Sequence, residues 1–410
     1  MTSPYARTVT TLELPDAPDL LALLPTEGAL SWVRGGEGLV GWGAAARLEV
    51  SGPGALAQAA AWWTELGGRF GGTDPIGVPG SGPVVFGSIA FDPAEGTSVF
   101  VVPRVVVGRR DGRAWTTTIG RPLPLPAAAP LPAAPGRVHY EDGALTPAAW
   151  SAAVAEAVRR IDAGELAKVV LARDLIAVAD RPLDTRRLLR RLADRFPDCW
   201  TFAVEGLLGA TPELLLRRTG TRLSARVLAG TGLPGAPGDD GRLGDALLAS
   251  HKDRAEHALA VDSLVQALAP HTVDLAVPPE PVVLALANVV HLATDVTGTQ
   301  RAADRGSLLD LVAAAHPTAA VGGTPTDRAI EVVAELERMD RGRYAGPVGW
   351  LDSRGDGEFG LALRCAELDP ADPTRARLFA GCGIVAGSDP DAELAETRAK
   401  FAAFQAAVEG

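Results

Sequence analysis

Ser388-Asp-Pro-Asp-Ala-Glu393-Leu-Ala-Glu396-Thr-Arg-Ala-Lys400-Phe-Ala-Ala-Phe404 reads as the opening of a helix that carries three charged groups on one face. Ser388 and Asp389 can cap it, and Pro390 fits its first turn. At about 100° per residue, Glu393, Glu396 and Lys400 fall within roughly 60° of one another. Leu394, Thr397, Phe401 and Phe404 form a stripe beside that face and anchor the helix in a core. Two carboxylates held this way suit a hard divalent cation, and the lysine suits an anion. An isolated pair of this spacing is also met on solvated acidic faces, so the segments upstream decide between the readings.

Working backwards, Lys252-Asp253-Arg-Ala-Glu256-His257 places Asp253 and Glu256 three residues apart on one helical face, in the same style. Two helices each offering a carboxylate pair could hold Mg²⁺ through one direct ligand apiece, with waters completing the shell. Each pair alone is more often a patch of surface charge. Lys168 begins the strand-like run Lys168-Val-Val-Leu-Ala-Arg173 after a glycine-terminated helix. A lysine there can lose its hydration and become a usable base, or simply stand exposed at a strand end. Glu213, in Gly209-Ala-Thr-Pro-Glu-Leu-Leu-Leu216, is either a carboxyl with a raised pKa fit for general acid work or an edge glutamate facing water.

Gly230-Thr231 and Gly381-Cys-Gly383 read as glycine-containing turns after strands, able to show backbone N–H groups to an anion. The run Gly381-Cys-Gly-Ile-Val-Ala386 formally fits a dinucleotide fingerprint. It is rejected because no helix follows directly and no downstream acid completes a βαβ unit. Arg364, near the end of a strand, could bind a carboxylate in bidentate fashion or make a structural ion pair. His291 and His316 lie in turn-like contexts.

Composition narrows the classes. The 410 residues can form one large domain or two smaller ones, and 47% hydrophobic residues can bury a sizeable, largely aliphatic core. A formal charge of −11 argues against nucleic acid and anionic membrane surfaces. Cys199, Cys365 and Cys382 have neither metal-ligand spacing nor a disulfide pattern and fit a reducing cytoplasm. The first thirty residues carry no leader pattern, and no apolar run reaches membrane-spanning length.

The Pro/Ala-rich stretch 121–140 reads as an extended connector. Residues 1–120 before it are strand-rich, with runs at Pro83–Phe86 and Ser98–Val107 and one helix over Ala55–Leu66. Residues 141–410 alternate helices and strands more densely. Thr146-Pro147 opens a helix with Trp150, Val154, Val158 and Ile161 inward, closed by Gly164. Thr201–Val204, Glu213–Leu216, Gly346–Leu351, Phe359–Glu367 and Arg375–Ala380 read as strands, and Leu243–Leu268 as one long helix.

These segments, in this order from about Thr146 to the C-terminus, resemble the chorismate-utilising enzymes. The likeness rests on Lys168–Arg173, Gly209–Leu216, Leu228-Ala-Gly-Thr231, Lys252–His257, His291-Leu-Ala-Thr294, His316-Pro-Thr318, Gly346-Pro-Val-Gly349, Arg364-Cys-Ala366, Ala380-Gly-Cys-Gly-Ile-Val385 and Glu393-Leu-Ala-Glu396. Ammonia-adding branches carry glutamine where Lys168 stands and draw on a glutaminase partner, so the lysine implies the water-adding branch and no such subunit. Aminodeoxychorismate synthases carry a nucleophilic lysine where this chain has Ala229. Isochorismate and salicylate synthases remain. His291–Thr294 and Gly322-Gly-Thr-Pro325 look more like the isochorismate branch of menaquinone and siderophore synthesis, whereas Tyr344 is shared with the salicylate branch.

The resemblance implies an α/β (α+β) fold of large, mostly antiparallel sheets packed face to face and flanked by helices, with residues 1–120 as part of the same fold. It implies a cytoplasmic monomer that isomerises chorismate by adding water at C2 as the C4 hydroxyl leaves. In that scheme a partly neutral Lys168 activates the water and a partly protonated Glu213 protonates the leaving hydroxyl. Mg²⁺ sits on Glu256 and Glu396, with Asp253 and Glu393 orienting its waters. Arg364, Lys400, Gly381 and Gly383 hold the enolpyruvyl carboxylate, and Gly230, Thr231, His291, Ala293, Thr294 and Tyr344 line the substrate. Two other readings stay open: a catalytically silent binder, which would need neither Lys168 nor Glu213, and an unrelated Mg²⁺-dependent phosphate enzyme, for which the sequence lacks a P-loop.

Overall fold

The computed structural model describes residues 8–121, 123–126, 130–233, 240–303 and 306–409. In chain order the first portion gives β1 (Thr8–Glu13), β2 (Leu30–Arg34), β3 (Glu37–Val50), α1 (Ala55–Gly67), β4 (Gly71–Thr73), β5 (Val84–Ser88), β6 (Ser98–Arg110) and β7 (Arg113–Ile119). Then come β8 (Val138–Asp142), α2 (Pro147–Asp162), β9 (Lys168–Ala179), α3 (Thr185–Arg195), β10 (Trp200–Val204), β11 (Leu207–Thr211), β12 (Leu214–Thr219) and β13 (Arg222–Gly232). The last portion holds α4 (Asp240–Ala249), α5 (His251–Leu268), β14 (Val282–Ala285), β15 (Val290–Thr299), α6 (Leu308–Ala315), β16 (Gly323–Thr324) and α7 (Thr326–Glu337). It ends with β17 (Pro347–Asp352), β18 (Gly357–Leu361), β19 (Cys365–Leu368), β20 (Arg375–Ile384) and α8 (Pro390–Glu409).

The 20 strands among the described residues form one hydrogen-bonded network. Every pairing is antiparallel except β1 with β4. Two arms diverge from β6. One runs β3-β2-β10-β11-β19-β20-β9, and the other β5-β17-β18-β12-β13-β15. The larger core draws on both arms: Trp32, Phe202, Leu171 and Phe379 on the first, Leu214, Trp350 and Phe359 on the second. A second core lies on the other face of the first arm, under α3 and α8. The period of two within strands divides the residues between them: Phe202 and Val204 face the first core, and Ala203 between them faces the second. The architecture is therefore the expected mixed α/β one, a large antiparallel sheet system flanked by helices.

One buried carboxylate ties the arms. Glu358 on β18 accepts from Trp32 Nε1 on β2 at 3.0 Å, from Arg110 on β6 at 2.8 Å and from Arg217 on β12 at 3.0 Å. Burial alone would push its pKa up, but Arg217 and Arg110 outweigh it and hold it below the ordinary value.

Several local expectations are corrected. The helix expected over Leu243–Leu268 is two helices, because Ser250 leaves helical geometry and its hydroxyl accepts from the Asp253 amide at 3.2 Å, an N-cap. The strand expected over Phe359–Glu367 breaks between β18 and β19, where Arg364 adopts a φ of +49°. Gly230-Thr231 and Gly381–Gly383 are not turns. They lie inside β13 and β20, which stay paired through Gly232↔Val290 and Ile384↔Val169. Gly230, at φ +73°, marks a bulge in β13. His291 lies in β15, not in a turn. Glu213 precedes β12. Of the connector, residues 122 and 127–129 lie outside the described residues; 123–126 and 130–137 have no regular structure, and 138–140 already belong to β8. Among the described residues no helix is long and apolar enough to cross a membrane.

Candidate active site

A cavity opens between the two arms. Its walls come from β9 and β20 of the first arm, β13 and β15 of the second, the N-terminal halves of α5 and α8, and the 318–322 turn.

One end is acidic. Glu256 of α5 and Glu396 of α8 line it, with Glu393 buried just beside. Asp389 caps α8 by accepting from the Asp391 and Ala392 amides, which sets the direction of the helix into the cavity. Each carboxylate meets one lysine: Glu256 Oε1 lies 3.1 Å from Lys168 Nζ, Glu393 accepts from Lys252 at 2.9 Å, and Glu396 accepts from Lys400. Burial, opposed by Lys400 but reinforced by Glu393 and Glu256, raises the pKa of Glu396. Glu393, Glu396 and Cys382 bring potential ligand atoms within 4.8 Å of one another. The carboxylate oxygens fit a hard cation such as Mg²⁺. The Cys382 thiol does not, since burial, then Glu396 and Glu393, push its pKa well up. Glu256 and Asp253 lie outside that tight group, and Asp253 packs beside the Gly230 bulge instead of lining the cavity.

Two cations also line the cavity, Arg364 and Lys400, and Lys400 Nζ, paired with Glu396, donates in addition to Gly381 O at 2.7 Å. The β9–β20 register explains why that carbonyl is free. The amides of Val170 and Ala172 point away from β20, so Gly381 and Gly383 opposite them turn their own backbone groups away from β9. Beyond Leu378, β19 no longer covers that edge, and it faces the cavity. A Cβ on Gly383 would stand 2.0 Å from Glu256 Oε1 and 2.9 Å from Lys168 Cε, so only glycine leaves room for that ion pair.

His291 joins Arg364 to β13. Its Nδ1 lies 3.2 Å from Gly230 O and its Nε2 lies 2.9 Å from an Arg364 nitrogen. A carbonyl only accepts and a guanidinium only donates, so the ring carries its proton on Nδ1 and is neutral. Burial, then Arg364 and Lys400, push its pKa well below the ordinary histidine value. Both nitrogens are thus spent on protein, and the ring acts on Arg364, which sits in a left-handed conformation rare for arginine.

Glu213 is buried in the cavity wall, 4% exposed. Burial is the dominant influence on its carboxyl. The Leu228 amide and the Lys168, Lys400 and Arg364 charges oppose it, and the net result is a pKa pushed up to about 8. Lys168 is fully buried behind Glu256 and does not reach the cavity wall, although Val170, two residues on, does.

The structure therefore gathers Glu213, Gly230, Thr231, Glu256, His291, Tyr344, Arg364, Gly381, Gly383, Glu396 and Lys400 around one cavity. Lys168 and Glu393 lie one side chain behind the wall. Ala293 and Thr294 are not brought to it: they lie further along β15 among pairs with Leu228 and Val227, and the Thr294 hydroxyl meets His257 Nε2 at 2.7 Å. Sequence reasoning missed Phe379, whose ring stacks on Tyr344 at 4.8 Å and 8°. It also missed Ala320 and Val321. Their only signal was position, one residue before Ala380-Gly381 and between two flagged turn segments.

Comparison with known proteins bears on the family. A family model described as chorismate binding enzyme matches residues 127–409. A MenF protein of Mycobacterium tuberculosis is 41% identical over 344 residues, 80% of this chain and 87% of its own length. The isochorismate synthase DhbC of Bacillus subtilis is 36% identical over 342 residues, 78% of this chain and 79% of its own length. Among solved structures, the menaquinone-specific isochorismate synthase MenF of Escherichia coli aligns with a TM-score of 0.78 at 27% identity, over 98% of this chain and 94% of that one. A match along most of the chain, with the matched segments converging on one cavity, places this protein in the chorismate-binding enzyme family, in its isochorismate synthase branch.

Proposed function

We propose that the chain isomerises chorismate to isochorismate with Mg²⁺ and without a glutaminase subunit, as a cytoplasmic monomer supplying menaquinone or siderophore synthesis. One observation carries the reading. A carboxyl that keeps its proton to about pH 8, Glu213, shares a single cavity with the carboxylates of Glu256 and Glu396 and with the cations of Arg364 and Lys400. The substrate's two carboxylates and its leaving hydroxyl need that division of labour.

Arg364, Lys400 and the free amide edge of Gly381–Gly383 would hold the enolpyruvyl carboxylate, and Tyr344 on Phe379 forms an aromatic wall for the ring. Glu256 and Glu396 would hold the metal, with Glu393 turned to its waters. Bound there, Mg²⁺ would supply a fixed positive charge for the ring carboxylate. Glu213 then donates its proton to the departing C4 hydroxyl. Lys168, acting in its unprotonated amine form, takes a proton from the water that adds at C2. Its amine reaches the cavity only past Glu256, so the carboxylate must turn from the amine before water is activated. General acid and general base steps each contribute about 10²–10⁴-fold.

The salicylate outcome keeps one point in its favour, the Tyr344 hydroxyl in the wall. It differs by release of pyruvate. The test is incubation of the purified chain with chorismate and Mg²⁺, followed by product separation. Isochorismate in equilibrium with chorismate supports the reading; salicylate with stoichiometric pyruvate replaces it.

A further inference from the structure

The strand that carries Lys168 has a gap along one edge. β16 pairs with it only at Lys168 and Val169, and β8 only from Leu175 onwards. Between them the backbone groups of Val170 and Ala172 point at no neighbouring strand, and buried backbone groups without partners are costly. Side chains fill the gap. Arg341 Nη2 donates to Val170 O at 2.8 Å, the Ala172 amide donates to Glu337 Oε1 at 2.7 Å, and Trp150 Nε1 donates to Ala172 O at 3.0 Å.

Glu337 and Arg341 also bind each other through Arg341 Nε at 2.9 Å and through Nη2, and they are 1% and 4% exposed. Arg341 Nη1 donates to Val321 O at 2.8 Å, and the Val170 amide donates to Gly322 O at 2.8 Å. One guanidinium therefore fastens β9 to the 318–322 turn, and both are cavity walls. Its face lies 4.1 Å over the Phe91 ring, which closes it off from the opposite side.

We infer that Glu337 and Arg341 are positioning residues: a buried ion pair that stands in for a missing strand and fixes the register of β9, and with it the place of the Lys168 amine. Neither touches the cavity. Their effect passes through backbone atoms two and four residues beyond Lys168, on the strand whose alternation aims Lys168, Val170 and Ala172 to one side. A misplacement of about 1 Å in a reacting group can cost about 10²-fold in rate. The inference rests on the reading of Lys168 as the base that activates water.

The test uses the full-length chain with Glu337→Gln, Trp150→Phe, and the pair Arg341→Lys and Arg341→Met. Amide exchange of a peptide spanning Val170–Ala172, followed without substrate, should quicken about tenfold or more in Glu337→Gln and Trp150→Phe, while β15 peptides keep their rates. With chorismate and Mg²⁺, kcat should fall about tenfold in Glu337→Gln with KM within twofold of wild type. Arg341→Lys should keep more of kcat than Arg341→Met. Unchanged exchange in β9, or unchanged kcat in a folded Glu337→Gln chain, overturns the inference. Should Glu337→Gln not fold, Trp150→Phe leaves every buried charge in place and carries both readouts, with the same overturning results. A wild-type chain that makes no isochorismate would sink the activity reading, and the exchange result would still decide whether the pair fixes the strand.

Discussion

Burial decides the protonation of Glu213 against three nearby cations, and this has consequences for both rate and stability. The carboxyl rises from an ordinary 4.5 to about 8, so the rate should fall on the alkaline side near pH 8 as the acid is lost. Because the folded value exceeds that of the unfolded chain, ionisation costs stability progressively between about pH 4.5 and about pH 8. Glu213→Gln should therefore lose about 10²-fold or more in turnover. It should also melt a few degrees higher than wild type above pH 8 and no differently below pH 4.5, as read by thermal unfolding across pH. A variant that melted lower at alkaline pH would show that the buried carboxylate is compensated after all. Lys168→Ala should likewise lose turnover by about 10²-fold while still binding chorismate in a titration, since Arg364 and Lys400 remain; loss of binding would place the lysine on the substrate's carboxylates instead. Most of the charged residues that line the cavity were legible because each stands in a short, distinctive segment. The neutral role of His291 was not, because it depends on Gly230 and Arg364, both distant in sequence.

At the scale of elements, α5 and α8 bring carboxylates to one cavity end, and lysines from β9, α5 and α8 itself neutralise them pairwise. Glu256→Gln and Glu396→Gln should each abolish turnover at ordinary Mg²⁺ and weaken Mg²⁺ binding in calorimetry, with circular dichroism unchanged. Near-normal Mg²⁺ dependence in either would remove that residue from the ligand set. Glu358, by contrast, should act on stability alone. Its substitution by alanine leaves Arg110 and Arg217 without their shared partner. It should cost about 3–5 kcal/mol, toward the lower end because both arginines are partly exposed. Its depressed pKa makes its contribution present above the ordinary carboxylate range and lost as pH falls through the folded value, so the variant should lose the wild type's extra sensitivity to acid. Denaturant titration at neutral and acid pH measures both. The break between α4 and α5 could have been read from Ser250-His-Lys-Asp253, a serine three residues ahead of an acid. The gap in β9 could not, since its partners Glu337 and Arg341 are recruited from a loop and a helix end with no motif of their own.

For the whole molecule, the deciding fact is that the two arms share β6, a strand from the first 120 residues. The cavity walls belong to later residues, but β2 pairs with β10 and β5 with β17, so the early strands brace both arms. That bracing was invisible in the sequence because it lives in long-range registers such as Thr201↔Val33, whereas the strand-rich character of the segment was plain from its valine runs. The central claim is that this cavity adds water to chorismate and stops there. The most direct measurement is mass spectrometry of the product formed from chorismate and Mg²⁺ in ¹⁸O-labelled water. The account predicts isochorismate carrying one labelled oxygen at C2 and no pyruvate. Salicylate with pyruvate, or isochorismate without the label, would contradict it.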